Sequence, residues 1–170
     1  VFEVVSLDGG EGSREVSYYD RTHTTNEQGQ VGFASPADRE AEDRAALILE
    51  ATWNCKLHRY QPFDEIDWYA SRGGRTVAFV ELKTRNHEST RHGTVFLNYR
   101  KHLTLTQAWR HTGKRCLFVV QFTDGIWAIN VLSIDASDLP LRGCKRIVKS
   151  PLDIEPVIEV PVSSMTEVKT

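Results

Sequence analysis

Asp67, Glu81 and Lys83 are the residues of this 170-residue chain best suited by type and spacing to do chemistry. Glu81 and Lys83 close the stretch Val77-Ala78-Phe79-Val80-Glu81-Leu82-Lys83-Thr84-Arg85, whose β-branched and aromatic start predicts a strand. Alternation along a strand sets Val77, Phe79, Glu81 and Lys83 on one face and Ala78, Val80 and Leu82 on the other. A carboxylate and an amine then stand roughly 7 Å apart along the backbone, at about 3.3 Å per residue. Alone, they read as an ion pair at the exposed end of a strand. Asp67 changes that reading. Ile66-Asp67-Trp68-Tyr69-Ala70 predicts another strand, and the Arg72-Gly73-Gly74-Arg75 turn joins 66–71 to 76–84 as an antiparallel hairpin. Its pairing brings Asp67 to the Glu81–Lys83 end. Two carboxylates brought close repel, and a strand end gains nothing from that unless a cation neutralises them.

The elements that must position this trio are legible on either side. Ser35-Pro36-Ala37-Asp38 opens a helix, with Ser35 as N-cap and Pro36 at the first helical position. The helix is expected to run to about Thr52, with Ala41, Ala45, Ile48 and Leu49 on its apolar stripe and Glu42 at the stripe's edge. Glu40, Asp43 and Glu50 fit its solvated face. Lys56 to Tyr60 is a further strand, ended by Gln61-Pro62. After a polar loop from Asn86 to Gly93, a second helix is expected from about Tyr99 to Thr112, stopped by Gly113. Cys116 to Phe122 reads as a buried strand, turned by Thr123-Asp124-Gly125 into Ile126 to Leu132 as a second hairpin.

The flanks say less. Residues 1–34 are Gly-, Ser- and Thr-rich and read as an arm or peripheral hairpin, with Phe2–Val5 and Val16–Tyr19 as short strands. The core then covers 35–135. Residues 136–170, with Pro140, Pro151, Pro156 and Pro161, read as a tail packed on it, made of edge strands or irregular structure. All of this fits one domain. The chain opens at Val1 rather than Met, so some native sequence is expected to precede it. No apolar run approaches the roughly 18 residues of a membrane span, so no membrane partner is expected. Cys55, Cys116 and Cys144 match neither a disulfide framework nor a zinc spacing and are expected to be buried thiols in a reducing compartment.

The net charge of −2 hides a marked asymmetry. Residues 1–82 carry 8 Lys/Arg against 15 Asp/Glu, a net of −7. Residues 83–115 carry 8 Lys/Arg against Glu88 alone, a net of +7, together with His87, His92, His102 and His111. A single solvated helix face does not account for a basic band that spans a loop and a helix. Contact with an anionic polymer does. The Arg142-Gly143-Cys144-Lys145-Arg146 cluster reads as a solvated loop instead.

The order of these features resembles the PD-(D/E)xK nuclease superfamily over about residues 35 to 132, small phage- or resolvase-like members above all. Its signature is an Asp on one strand and a (D/E)-x-K tripeptide on the next. Here these are Asp67 and Glu81-Leu82-Lys83, 14 residues on, with Ile66 where the name has Pro. The resemblance implies an α+β fold with a central mixed sheet flanked by helices, the restriction-endonuclease-like αβββαβ core. It also implies hydrolysis of DNA by a metal-activated water, with Mg²⁺ or Mn²⁺ held by Asp67, Glu81, the Leu82 carbonyl and Glu42, and with Lys83 on the water. A phosphodiester repels nucleophiles by its own charge, so a positive charge and an activated water are what the reaction needs. Arg85, Arg91, Arg100 and Lys101 are expected on the DNA backbone. The cytoplasm of a bacterial or phage-infected cell is the expected compartment, and a homodimer is left open. The alternative is a catalytically inactive nucleic-acid-binding module on the same fold. A third reading, an interaction protein whose Glu81–Lys83 pair is only a surface salt bridge, does not explain the basic band.

Overall fold

The computed structural model describes residues 24–25, 31–32, 36–61, 64–137, 141–143 and 156–169. In chain order its elements are β1 (Thr24–Thr25), β2 (Val31–Gly32), α1 (Pro36–Trp53), β3 (Lys56–Arg59), β4 (Trp68–Arg72), β5 (Arg75–Thr84), β6 (Thr94–Asn98), α2 (Tyr99–Thr112), β7 (Arg115–Phe122), β8 (Gly125–Asn130), β9 (Leu141–Gly143), β10 (Pro156–Pro161) and β11 (Thr166–Glu167). A six-stranded sheet runs in the order β11-β8-β7-β5-β4-β3, and a three-stranded one in the order β6-β10-β9. Only β5 and β7 are parallel in the larger sheet, so it is mixed.

Both faces of β5 are covered, as a central strand in such a sheet requires. Ala78, Val80 and Leu82 pack with Ala45, Ala46 and Leu49 of α1. Phe79 packs on the other side with Phe118, Val120 and Leu105 of α2, and with Val95, Leu97, Ile158 and Val160 from the smaller sheet. The alternation read from 77–83 therefore separates two cores, and Glu81 enters the second of them.

The β4–β5 hairpin turns at Gly73 and Gly74, with φ of 56° and 74°. Two successive positive φ values match the right-handed twist of a tight hairpin, and only glycine takes them without cost. Gly113, at φ 66°, ends α2 and donates its N–H to the Trp109 carbonyl. Asn54, at φ 49°, follows α1 in the same left-handed region.

Three expectations are corrected. The arm after β7 stays extended only to Asn130, whose side-chain carbonyl accepts the Leu132 N–H at 3.1 Å and nucleates a 3-10 turn over Val131–Ser133. The proline-rich tail supplies a central strand rather than an edge. β10 lies between β6 and β9, buries Val157, Ile158 and Val160, and keeps its prolines to its first and last positions, where a missing N–H harms the ladder least. Cys116 is fully buried, whereas Cys55 is half-buried. The Phe2–Val5 and Val16–Tyr19 strands, the Ser35 cap, Cys144, Lys145 and Arg146 lie outside the described residues. No helix among those described is long and apolar enough to cross a membrane.

Candidate active site

β4 and β5 place the two carboxylates. Their ladder runs from Arg72↔Arg75 to Trp68↔Val80, so Asp67, just before β4, falls beside Glu81. On its other edge β5 stays paired with β7 through Lys83↔Val120 and Thr84↔Gln121. The end of β5 is thus held by one neighbour and lacks a strand partner on the β4 side. Asp67 is fixed through its backbone, whose carbonyl accepts the Tyr60 N–H at 2.9 Å.

Glu81 has a side chain only 5% exposed, in the apolar layer shared by Phe79 and Phe118. Its pKa is pushed up to about 8, first by burial and then by the Asp67 charge, while Lys83 and Lys101 pull it the other way. Lys83 Nζ lies 3.9 Å from Glu81 Oε1. Lys101 Nζ lies 2.5 Å from Asp67 Oδ1 and 3.4 Å from Glu81 Oε2. The second contact is an ion pair without hydrogen-bond geometry, since Glu81 Oε2 is buried with no hydrogen-bond partner among the described residues. The Lys101 pKa is raised: burial lowers it, but the two carboxylates outweigh that.

The remaining expected residues take different places. Glu42, on α1, is tied to Arg59 Nη1 at 2.6 Å, while Arg59 Nη2 reaches Asp43 Oδ1 at 2.9 Å and the guanidinium stacks over the Trp68 ring at 4.2 Å. Burial raises the Glu42 pKa against the pull of Arg59, and the Asp67 charge adds to the rise. Asp43 is exposed, as expected of the solvated face, and pairs with Arg59 there; Glu50, expected on the same face, is half-buried, accepts the Leu57 N–H at 2.7 Å and meets Lys56 Nζ at 3.2 Å. Arg85 is half-buried and donates to the Thr84 carbonyl, Arg91 is exposed on the loop before β6, and Arg100 pairs with Glu65 at 3.8 Å. Lys101, expected on the DNA backbone, instead has its ammonium between the two carboxylates.

Sequence reasoning missed the inward turn of Lys101 and the clamp of Arg59 on Glu42. A signal for the first exists: the first turn of α2 holds Arg100 and Lys101 and no acidic residue. Cations are disfavoured at the positive end of a helix, so they imply carboxylates arriving from elsewhere. Arg59 gives no such signal, because it is one of two cations on a short strand and each has many partners open to it.

Asp67 and Glu81 converge on one position that already holds a cation, and Glu81 offers a buried oxygen without a hydrogen bond. Such a donor pair suits a hard divalent ion. Among the described residues no three of His, Cys, Asp and Glu stand close enough together to enclose one. Among the described side chains Asp67 and Glu81 face this position, and Glu42 is bonded to Arg59.

The family profile described as "phage putative PDDEXK endonuclease" matches residues 30–168. The chain belongs to that family. Its restriction-endonuclease-like αβββαβ order is realised here by α1, β3, β4, β5, α2 and β7, with β6 inserted before α2. No curated protein matches the sequence. Among solved structures, a Holliday junction resolvase, Hjc of Archaeoglobus fulgidus, superposes with a TM-score of 0.47 and 15% identity, over 76% of this chain and 95% of that one. A likeness that loose bears on neither substrate nor activity.

Proposed function

We propose that this member of the PDDEXK endonuclease family hydrolyses phosphodiester bonds in DNA with a divalent metal ion, Mg²⁺ or Mn²⁺, at the end of β5. The observation that carries the reading is the convergence of Asp67 and Glu81 on a single cation position with Lys83 beside it. Asp67 and Glu81 would hold the ion, joined by the Leu82 carbonyl as the family resemblance implies. When bound, such an ion lowers the pKa of a coordinated water and offsets the charge that develops on the phosphate.

Every other part of the reaction falls to the chain. The hairpin register holds Asp67 against Glu81, and the β7 ladder fixes the strand end that carries Lys83. Lys83 orients the attacking water or takes its proton, and its charge opposes that of the phosphate. Glu42 would join as a further ligand only on release from Arg59. Arg85, Arg91 and Arg100 would hold the DNA backbone, a contact that is salt-dependent and blind to sequence. The compartment in this reading is the cytoplasm of a bacterial or phage-infected cell. A homodimer is an expectation that sedimentation of the purified chain tests.

The deciding experiment incubates the protein with plasmid, single-stranded and branched DNA in Mg²⁺ or Mn²⁺. Cleavage that disappears in Asp67→Asn and Lys83→Ala is the expected result. DNA that is bound but left intact under all these conditions, or cleavage that both variants preserve, overturns it.

A further inference from the structure

We infer that Lys101 is the resident cation of the candidate metal position, and that a divalent ion and the Lys101 ammonium exclude one another there. The inference rests on the reading of Asp67 and Glu81 as metal donors and adds a residue to it. Lys101 Nζ stands 2.5 Å from Asp67 Oδ1, a few tenths of an ångström beyond the ~2.1 Å at which Mg²⁺ takes carboxylate oxygen. It also stands 3.4 Å from Glu81 Oε2. An ion sharing those two oxygens would occupy much the same point as the ammonium, so both do not fit.

Charge leads to the same conclusion. Asp67 and Glu81 contribute two negative charges when ionised, and Lys83 and Lys101 two positive ones. Adding a dication to all four would leave a partly buried site with a charge of +2, which is costly away from water. With Lys101 withdrawn the excess is halved.

The withdrawal has a route. Lys101 lies in the first turn of α2, where the helix end disfavours a cation. Its side chain is 15% exposed while that of Glu81 is 5% exposed. The Lys101 side chain is thus less enclosed than the carboxylate it meets, and a released ammonium would move towards solvent. A DNA phosphate on the basic band would receive it, so phosphate and divalent ion would favour each other's binding. Lys101 thus acts as a positioning residue that sets the metal concentration at which the site fills.

Calorimetric titration of Mn²⁺ without DNA tests this, using the intact chain and its Lys101→Met and Lys101→Gln variants, with Asp67→Asn as control. Both Lys101 variants should bind Mn²⁺ about tenfold more tightly, the effect expected when a hydrogen-bonded charge competitor is removed. In EDTA they should melt at lower temperature than the intact chain, and Mn²⁺ should raise their melting temperature by more. Equal Mn²⁺ affinity in the intact chain and both folded variants, with binding still abolished by Asp67→Asn, overturns the role of Lys101 and leaves the metal reading standing. Failure of all of them to bind Mn²⁺, or binding that Asp67→Asn leaves unchanged, overturns both.

Discussion

Arg59 Nη1 lies 2.6 Å from Glu42 Oε2, a contact that joins the edge strand β3 to α1 and holds a helix carboxylate that also feels the Asp67 charge. The same guanidinium reaches Asp43 and stacks on Trp68. Arg59 thus ties both helix carboxylates, Glu42 and Asp43, to the edge of the sheet.

Arg59→Met should cost about 1 kcal/mol, since the ion pairs are partly exposed and the cation–π contact is of similar worth. Denaturant melts measure this. Arg59→Lys should recover little, because a single ammonium replaces neither the two-carboxylate fork nor the stacking. A midpoint for Arg59→Met unchanged from the parent would show the clamp to be idle.

Lys83→Gln should slow metal-dependent DNA cleavage by about 10²-fold or more, the typical worth of a positioned proton-transfer group. Affinity for DNA in EDTA should hold within about twofold, because one charge in a broad basic band adds little to binding. Single-turnover cleavage and fluorescence anisotropy separate the two effects. A fall in affinity with the cleavage rate maintained would place Lys83 in binding and not in chemistry.

Glu50 supplies an acid limb to stability. The Leu57 N–H, then Lys56, hold its carboxyl below the usual value of 4.5. A depressed carboxylate pKa stabilises the fold above the unfolded value, and the contribution is lost as pH falls through the folded one. Glu50→Gln should therefore lower stability at pH 6–7 and converge with the parent in strong acid. Urea midpoints across that range test it; a constant offset at every pH would contradict the assignment.

Asp124 anchors the loop that carries Arg91. Its carboxylate accepts the Ser89 N–H at 2.9 Å and the Ser89 hydroxyl at 2.7 Å, and Ser89 is buried. Asp124→Ala should speed hydrogen exchange over residues 86–93 while the amides of β5 and β7 keep their protection. Arg91→Ala should leave exchange alone and reduce the salt dependence of DNA binding by about one phosphate contact. Exchange that rises across β5 as well would make Asp124 a support of the sheet rather than of the loop.

The local parts of this fold were legible because short-range rules govern them. Gly73-Gly74 specified the hairpin, Gly113 the end of α2, and alternation over 77–83 the two faces of β5. From that hairpin the approach of Asp67 to Glu81 followed directly. What escaped depended on partners distant in sequence. Pro156 and Pro161 argue locally against an inner strand, yet between them Val157, Ile158 and Val160 outweigh that by filling the core beside Leu97 and Leu105. Lys101 reads as a phosphate contact until α2 is docked, because only tertiary packing brings its ammonium onto Asp67, 34 residues away. The charge asymmetry located the basic band without distinguishing inward from outward side chains.

β6 passes into α2 without a loop, Asn98 being followed at once by helical Tyr99, and β6 is laddered to β10 from Val157↔Asn98 to Pro161↔Thr94. During synthesis this imposes an order of assembly. The hairpin can bring Asp67 to Glu81 as soon as residue 84 has left the ribosome, and β7 can lock that strand end soon after. The helix bearing Lys101 packs on β5 and β7, but β6, which leads into it, gains its strand partner only when residues 156–161 emerge. A nascent chain would thus hold Asp67 and Glu81 side by side with Lys83 as their neighbouring cation, and β10 would complete the support of the segment that carries Lys101.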